Sequence, residues 1–509
     1  MDNPRYFTVP GSDRVFDRNK MLFVLILSLC ISLIQVSSVN NLLPSIEHAI
    51  GASQSDIQWV LSGYSLAFGL LLVPMGRLGD IFGRSMMWMI GVAIFTVASI
   101  LCGIAADPVM LNLARALQGV GAGVFSPQVT GMIQQYFEGH ERARAFSYMG
   151  LAISASVAVG PVLSGFFVLI LQDAGWRWSF VANAPIGIAA FLLGLRWLAF
   201  SKERRTIGPN AAKNDATYRR SAKRAGKEVG RMRGLSIDLD PVGTLLLAVA
   251  VLAIMLPFML DASWRWWLLL LGILAAASWV WWEGHYERNG HIPMVSLSMF
   301  RTESYALGTL ISAVQFLGTT SVFVVLAMAV QQGLGFSAFE AGFIGLPNAI
   351  VSGYMAVWAG RYAVNKGREV QVGAFVAILV SLVATIPVAY WVFTTGASGW
   401  WLAIPITIEG IGLGAVGSAN QTQSMMEIPS AHGGTAGGVQ QTSQRIATAI
   451  GTALITAVLF ACVPGGPEAT AHQWAIGFGW AMGTIAVIVA LALALSVVYM
   501  RRGRVRRAV

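Results

Sequence analysis

The chain has 509 residues, of which 56% are hydrophobic and only 11% charged, and its mean hydropathy is +0.65. Soluble domains carry about 25% charged residues because a water-facing surface needs them. That scarcity excludes soluble globular, disordered, collagen-like and disulfide-scaffold classes and leaves an all-α polytopic membrane protein embedded in a lipid bilayer. The formal net charge of +10 is spread over short loops between apolar runs, as bilayer orientation requires, so nucleic acid is not an expected partner.

An apolar stretch of about 20 residues crosses the hydrocarbon core as a helix. Residues 1–20 form a tail with four basic residues, expected to be cytoplasmic. Six stretches follow within 21–200, at 21–43, 57–75, 86–105, 109–132, 146–170 and 179–199. The first is too long for a signal peptide and lacks a small-x-small cleavage site, so it is expected to be retained. Residues 201–240 hold eleven Lys and Arg and little hydrophobicity, which predicts a flexible linker with a minor affinity for anionic headgroups. Two further stretches, 241–260 and 265–282, fall within 241–283. Six more, at 304–330, 339–360, 370–393, 400–420, 436–461 and 474–499, lie within 284–500, before a basic tail at 501–509. The expectation is fourteen transmembrane helices.

With both termini in the cytoplasm, 29 of the 34 basic residues face that side. Arg177 and Arg265 face the other, and Arg115, Arg196 and Arg445 fall within spans. This imbalance predicts a cell (plasma or inner) membrane protein with cytoplasmic termini. Cys102 and Cys462 leave open either a disulfide or two unpaired small hydrophobes, and Cys30 lies inside an apolar run.

Two patterns recur between the halves. Gly76-Arg77…Gly83-Arg84 returns 284 positions later as Gly360-Arg361…Gly367-Arg368. Gln118-Gly119-Val120-Gly121-Ala122-Gly123 returns 291 positions later as Glu409-Gly410-Ile411-Gly412-Leu413-Gly414, and Gly160 matches Gly451 at that offset. Three matches in one order predict duplicated six-helix halves with the 241–283 pair inserted between them. Parallel repeats with small-residue packing surfaces are the build of alternating-access transporters. The sequence has no GxxxxGK[ST], no HExxH and no His–carboxylate cluster within spans, so neither an enzyme nor a cofactor or metal is expected.

The chain resembles the major facilitator superfamily, specifically its fourteen-helix drug:proton antiporter subfamily. The resemblance rests first on Gly76-Arg77-Leu78-Gly79-Asp80-Ile81-Phe82-Gly83-Arg84. Leu113-Ala114-Arg115-Ala116-Leu117-Gln118-Gly119 matches a buried-arginine motif, and Gly160-Pro161-Val162-Leu163-Ser164-Gly165 an exporter motif. Trp176 to Gly187 matches the opening of the sixth helix. The resemblance implies a conformational latch at Gly76, Asp80, Gly83, Arg84 and the echo residue Arg361. It also implies proton coupling or substrate contact at Arg115 and helix packing at Gly160, Pro161 and Gly165. Ser156 and Ser164 replace glycines of the exporter pattern.

The helix-1 motif of the subfamily carries an Asp nine residues before a Pro. Here Gln35 stands nine before Pro44, while Asn40 keeps the family's Asn. Val364 replaces the acid in the echo loop. Glu409 is the acid that the sequence places clearly mid-span, and a carboxylate there is a functional hypothesis by default. It is expected to couple protons or contact a cation, with pairing to Arg115 or Arg445 as the structural alternative. The repeat sets it opposite Gln118, so both are expected at the central cavity. Arg445, among Gln440, Gln441, Thr442, Ser443 and Gln444, either lines that cavity or packs between helices.

The expected function is proton-coupled export of small amphipathic compounds, with small-molecule substrate and protons as partners and no obligatory protein partner. Gln35 keeps an uncoupled facilitator or importer open, and a sensor or lipid-handling protein is a third reading.

Overall fold

The computed structural model describes residues 5–9, 14–200, 240–258, 263–464 and 469–508, so the basic linker expected over 201–240 lies outside the described residues up to 239. The N-terminal tail departs from the all-α expectation. Tyr6–Thr8 (β1) pairs antiparallel with Val15–Asp17 (β2), with Phe7 opposite Phe16. Phe7 stacks on Phe16 at 5.5 Å and meets Tyr136 at 4.8 Å, which fastens this hairpin to the helical body.

The rest is helical. Asp17 accepts from the amides of Asn19 and Lys20, so the first helix starts at Arg18 rather than at residue 21 and runs Arg18–Ile50 (α1). Ser53 and Asp56 form a reciprocal capping box that opens Gln54–Phe82 (α2). Then come Arg84–Gly103 (α3), Pro108–Tyr136 (α4), Gly139–Leu171 (α5), Gly175–Val181 (α6) and Asn183–Trp197 (α7). The inserted pair is Pro241–Met255 (α8) and Trp267–Arg288 (α9). The C-terminal set is Glu303–Met328 (α10), Ala338–Thr395 (α11), Ala403–Met425 (α12), Gly433–Cys462 (α13) and Ala471–Ala508 (α14). Helix α11 is two arms: Lys366 leaves the helical region (φ −126°, ψ 22°) and bends the chain back.

Among the described residues, eleven segments are long and apolar enough to cross a membrane. The three cysteines are unpaired.

Packing repeats as the sequence does. Helix α4 threads between α2 and α3, and α12 between the two arms of α11. A Cβ on Gly119 would lie 2.3 Å from the Tyr64 carbonyl, and one on Gly410 2.3 Å from the Asn348 carbonyl. Gly121 abuts Phe95 just as Gly412 abuts Ile378, and Gly160 presses on α1 as Gly451 presses on α10. Small residues are needed because these backbones touch. Each half has its own apolar core, one around Trp88, Phe95 and Phe125, the other around Phe375, Trp474 and Phe478. The α8–α9 pair packs mainly on itself, and α8 also rests on α2 and α13.

Candidate functional site at the seam between the halves

The two halves meet along α2–α13 and α5–α11. At one end of the first seam, α2 stops at Gly83, whose φ of +109° turns the chain sharply into α3. This turn sets Asp80 and Arg84, both buried, in an ion pair in which two guanidinium nitrogens share one oxygen: Arg84 Nη2 is 2.7 Å and Nε 2.9 Å from Asp80 Oδ1. Arg84 also donates to the Gly131 carbonyl and to Gln135 Oε1, each at 2.7 Å, and across the seam to the Ser430 carbonyl at 2.6 Å.

Asp80 crosses the seam as well. It accepts from the amides of Gly434 (3.1 Å) and Thr435 (2.9 Å) and from Thr435 Oγ1 (2.7 Å). These donors lie in the first turn of α13, where the helix dipole favours an anion. Gly76 has no room for a side chain, since its Cβ would lie 2.5 Å from the Gly434 carbonyl. Gln134 adds two bonds of 2.7 Å to the carbonyls of Met425 and Ile428. Deeper in, Ser126 Oγ donates to Gln441 Oε1 at 2.6 Å. Together these bonds seal the end of the seam at which α1 begins, where Arg18 bonds the Tyr136 carbonyl.

The echo loop is fastened differently. Without an acid at Val364, Arg368 stays in its own half, over the Tyr499 ring at 4.1 Å. Arg361 is exposed.

Beyond the seal lie the embedded charges. Arg115 is buried on α4, donates to the Val60 carbonyl (2.9 Å) and to Gln118 Oε1 (2.5 Å), and sits over the Tyr64 ring at 4.5 Å. Gln118 in turn donates to Ser99 Oγ at 2.7 Å. Arg445 reaches from α13 across the seam to the Phe68 ring, 4.5 Å from its centroid. Tyr64 and Phe68 are one turn apart on α2, so the two guanidinium groups flank one aromatic pair.

Glu409 stands apart. It is fully buried, and among the described residues neither carboxylate oxygen has a hydrogen-bond partner and no ion pair joins it to Arg115 or Arg445. Gln35 is buried and accepts from Asn183 Nδ2 at 2.5 Å, a contact within the N-terminal half. Asn40 is on α1, but its side chain lies outside the described residues. The exporter motif bridges the halves: Gly160 presses on Ser37 and Ile34 of α1, while Pro161 and Gly165 face Gly342 and Phe339 of α11.

Sequence reading missed a second acidic locus. Asp240 and Glu283 are both fully buried. Trp282 Nε1 donates to Asp240 (2.8 Å) and Trp279 Nε1 to Glu283 (2.9 Å). The consecutive amides of Met294 and Val295 also point at them, each at 3.4 Å. The i, i+4 spacing of Trp279 and Glu283 was the available signal. A mostly apolar groove of about 650 Å³ between α3 and α4, lined by Leu101, Met110, Leu113, Ala114 and Leu117 with Asp107 at its edge, opens outward beside the highly exposed Leu113.

Two like helical halves, locked at one end of their seam and holding isolated charges beyond the lock, define a membrane solute transporter. The Major Facilitator Superfamily model matches residues 25–452, and the chain belongs to that family; it is a multi-pass membrane transporter of small molecules and not an enzyme. It is 30% identical over 440 residues to the probable actinorhodin transporter of Streptomyces coelicolor, covering 85% of this chain and 70% of that protein. The puromycin resistance protein of Streptomyces alboniger is 29% identical over 480 residues, 89% of this chain and 86% of that one. The solved structure of the human organic anion transporter MFSD10 superposes with a TM-score of 0.63 at 14% identity, over 94% of this chain and 99% of that one, a likeness of fold.

Proposed function

We propose that this transporter is a fourteen-helix drug:proton antiporter that exports small amphipathic compounds across the cell inner membrane by alternating access. The helix count is supported by two apolar segments of 59 and 57 residues, each twice a single crossing, and by α4, 29 residues long between α2 and α3. The basic residues of the loops support cytoplasmic termini, which makes the sealed end of the seam the cytoplasmic one. Relatives named as a transporter and a resistance protein support export of noxious small molecules.

The observation that carries the reading is the Asp80–Arg84 latch onto α13. A set of bonds confined to one end of a seam is a two-state device: it holds that end shut and must break for the other state. Coupling is assigned to Glu409, since an enclosed carboxyl without any partner is stable in lipid only when it carries a proton. An outside proton neutralises it, the halves rock, and the proton leaves on the other side as substrate is carried out. No other protein is required.

The test is efflux of labelled compounds from proteoliposomes, with and without a pH gradient. Glu409→Gln is expected to abolish substrate-driven proton flux; unchanged flux in that variant refutes the coupling assignment. Gln35, neutral and bonded to Asn183 where the subfamily has an acid, favours one second reading, an uncoupled facilitator. That reading requires transport that runs only to equilibration and ignores an imposed pH gradient.

A further inference from the structure

Arg445 differs from the other two arginines at the seam. Arg84 has Asp80, and Arg115 is anchored on the Val60 carbonyl and Gln118. Among the described residues, no hydrogen bond or ion pair holds the Arg445 guanidinium, which lies over the face of Phe68. The residue is partly exposed, unlike the buried Arg115, and it lies four residues, one helical turn, beyond Gln441, which bonds Ser126 at the inner end of the seal. Between the two arginines stands Tyr64, 1% exposed, with Ser32 of α1 beside its hydroxyl.

The electrostatics of this region are one-sided. The titratable side chain near enough to act on Arg445 is Tyr64, which is neutral at physiological pH. Position 35 is a glutamine, and Glu409 is enclosed in the C-terminal half with no charged neighbour acting on it. A guanidinium taken from water and left without a counter-ion is strongly unfavourable, whereas one that meets an anion through its planar donors is stabilised.

We infer that the transported molecule carries an anionic group, and that Arg445 binds it beside Phe68 and Tyr64. The inference rests on the transport reading above and names its substrate class: an organic anion with a planar apolar body. Phe68 covers one face of the guanidinium and leaves its N–H edge for a carboxylate or sulfonate. Arg115, itself anchored, adds a positive field without contacting the anion.

The test uses purified full-length protein and matched probes: naphthalene, biphenyl and anthracene carboxylates, each with its neutral carboxamide and its aminomethyl analogue. Binding is read by tryptophan fluorescence and by thermal shift. Acids are expected to bind at least roughly tenfold more tightly than their amides, with the amines weakest, as a charge-assisted bond requires. Arg445→Gln is expected to bring the acid-to-amide ratio to about one, and Arg445→Lys to keep part of it. The wild-type comparison needs no variant, so a folding defect in either substitution leaves a decisive measurement. Preference for amide or amine, absence of acid binding, or an undiminished acid preference in folded Arg445→Gln overturns the inference. Gradient-driven efflux with no acid preference defeats the substrate class alone. Acid preference without any response to the gradient defeats proton coupling and leaves the site standing.

Discussion

Replacing Asp80 by Asn tests whether the latch holds the seam shut. Asparagine keeps the carbonyl that faces Gly434 and Arg84 but puts an amide where Oδ2 accepts from the Thr435 backbone and hydroxyl. Two charge-assisted bonds across the seam are lost, and the ion-pair partner of the buried Arg84 loses its charge. Bonds to charged groups contribute about 1.5–3 kcal/mol each, and part of this returns when the freed donors find water in the opened seam. A net loss of about 2–4 kcal/mol for the closed state is reasonable, which corresponds to an open population higher by roughly 30- to 1000-fold. The reporter is Thr130→Cys in a background where Cys30, Cys102 and Cys462 are serine. Thr130 is 2% exposed and faces Gly437 and Gln441 beneath the latch. Alkylation by an impermeant maleimide from the sealed side is expected to accelerate by that factor when Asp80→Asn is added. Equal rates in two folded proteins would refute the latch.

Three further outcomes follow from close contacts. Gly76→Val is expected to abolish transport while leaving each half folded, because its side chain would overlap the Gly434 carbonyl; uptake and protease resistance measured together check this. Asn183→Ala leaves the Gln35 carbonyl without its donor, beside an Nε2 that already lacks a partner, and is expected to destabilise the protein by about 1–3 kcal/mol in thermal melts. Burial raises the pKa of Asp17, but Arg5 and the amides of Asn19 and Lys20 outweigh it and hold the carboxyl below its usual range. A depressed carboxylate stabilises the fold above its unfolded pKa and loses that contribution as pH falls, so the N-terminal hairpin is expected to loosen below about pH 4, read as faster amide exchange at Asn19 and Lys20.

How much of this was legible in the sequence depends on the range of each interaction. The turn at Gly83 and the glycines at 119, 121 and 123 announce themselves because backbone conformation and helix contact demand small residues locally. The repeat was legible for the same reason. The Asp80 partner was not: Thr435 lies 355 positions away, in a Gly-Gly-Thr stretch that reads as an ordinary helix start. Gln35 likewise gives no hint of Asn183, 148 positions on. Asp240 and Glu283 lie at the ends of the inserted pair, 43 positions apart, and only folding brings Met294 and Val295 back over them. Sequence marked where charge is scarce, and tertiary structure decided which charges are satisfied.

The two seams between the halves are unequal, and the inequality bears on how they move. Along α5–α11 the contact runs from Gly360 against Ser147, through Gly353 on Leu151 and the Ser154–Ser352 hydroxyl bond of 2.8 Å, to Gly165 on Phe339. Among the described residues it is built of small and apolar groups and one hydroxyl pair with no ion pair, so no charged bond has to break for these helices to shift. Along α2–α13 the polar bonds are gathered at one end, from Asp80 and Gly76 inward to Gly69, whose carbonyl accepts from Thr442. Arg445 stands where that bonded stretch gives out. The duplicated halves therefore diverge at Val364: had the echo loop kept its acid, the second seam would have its own candidate for a charged latch. With a latch on one seam and a smoother contact on the other, the proposed rocking of the halves would turn on the few donors around Asp80, about three helical turns along α13 from the cation assigned to bind the substrate.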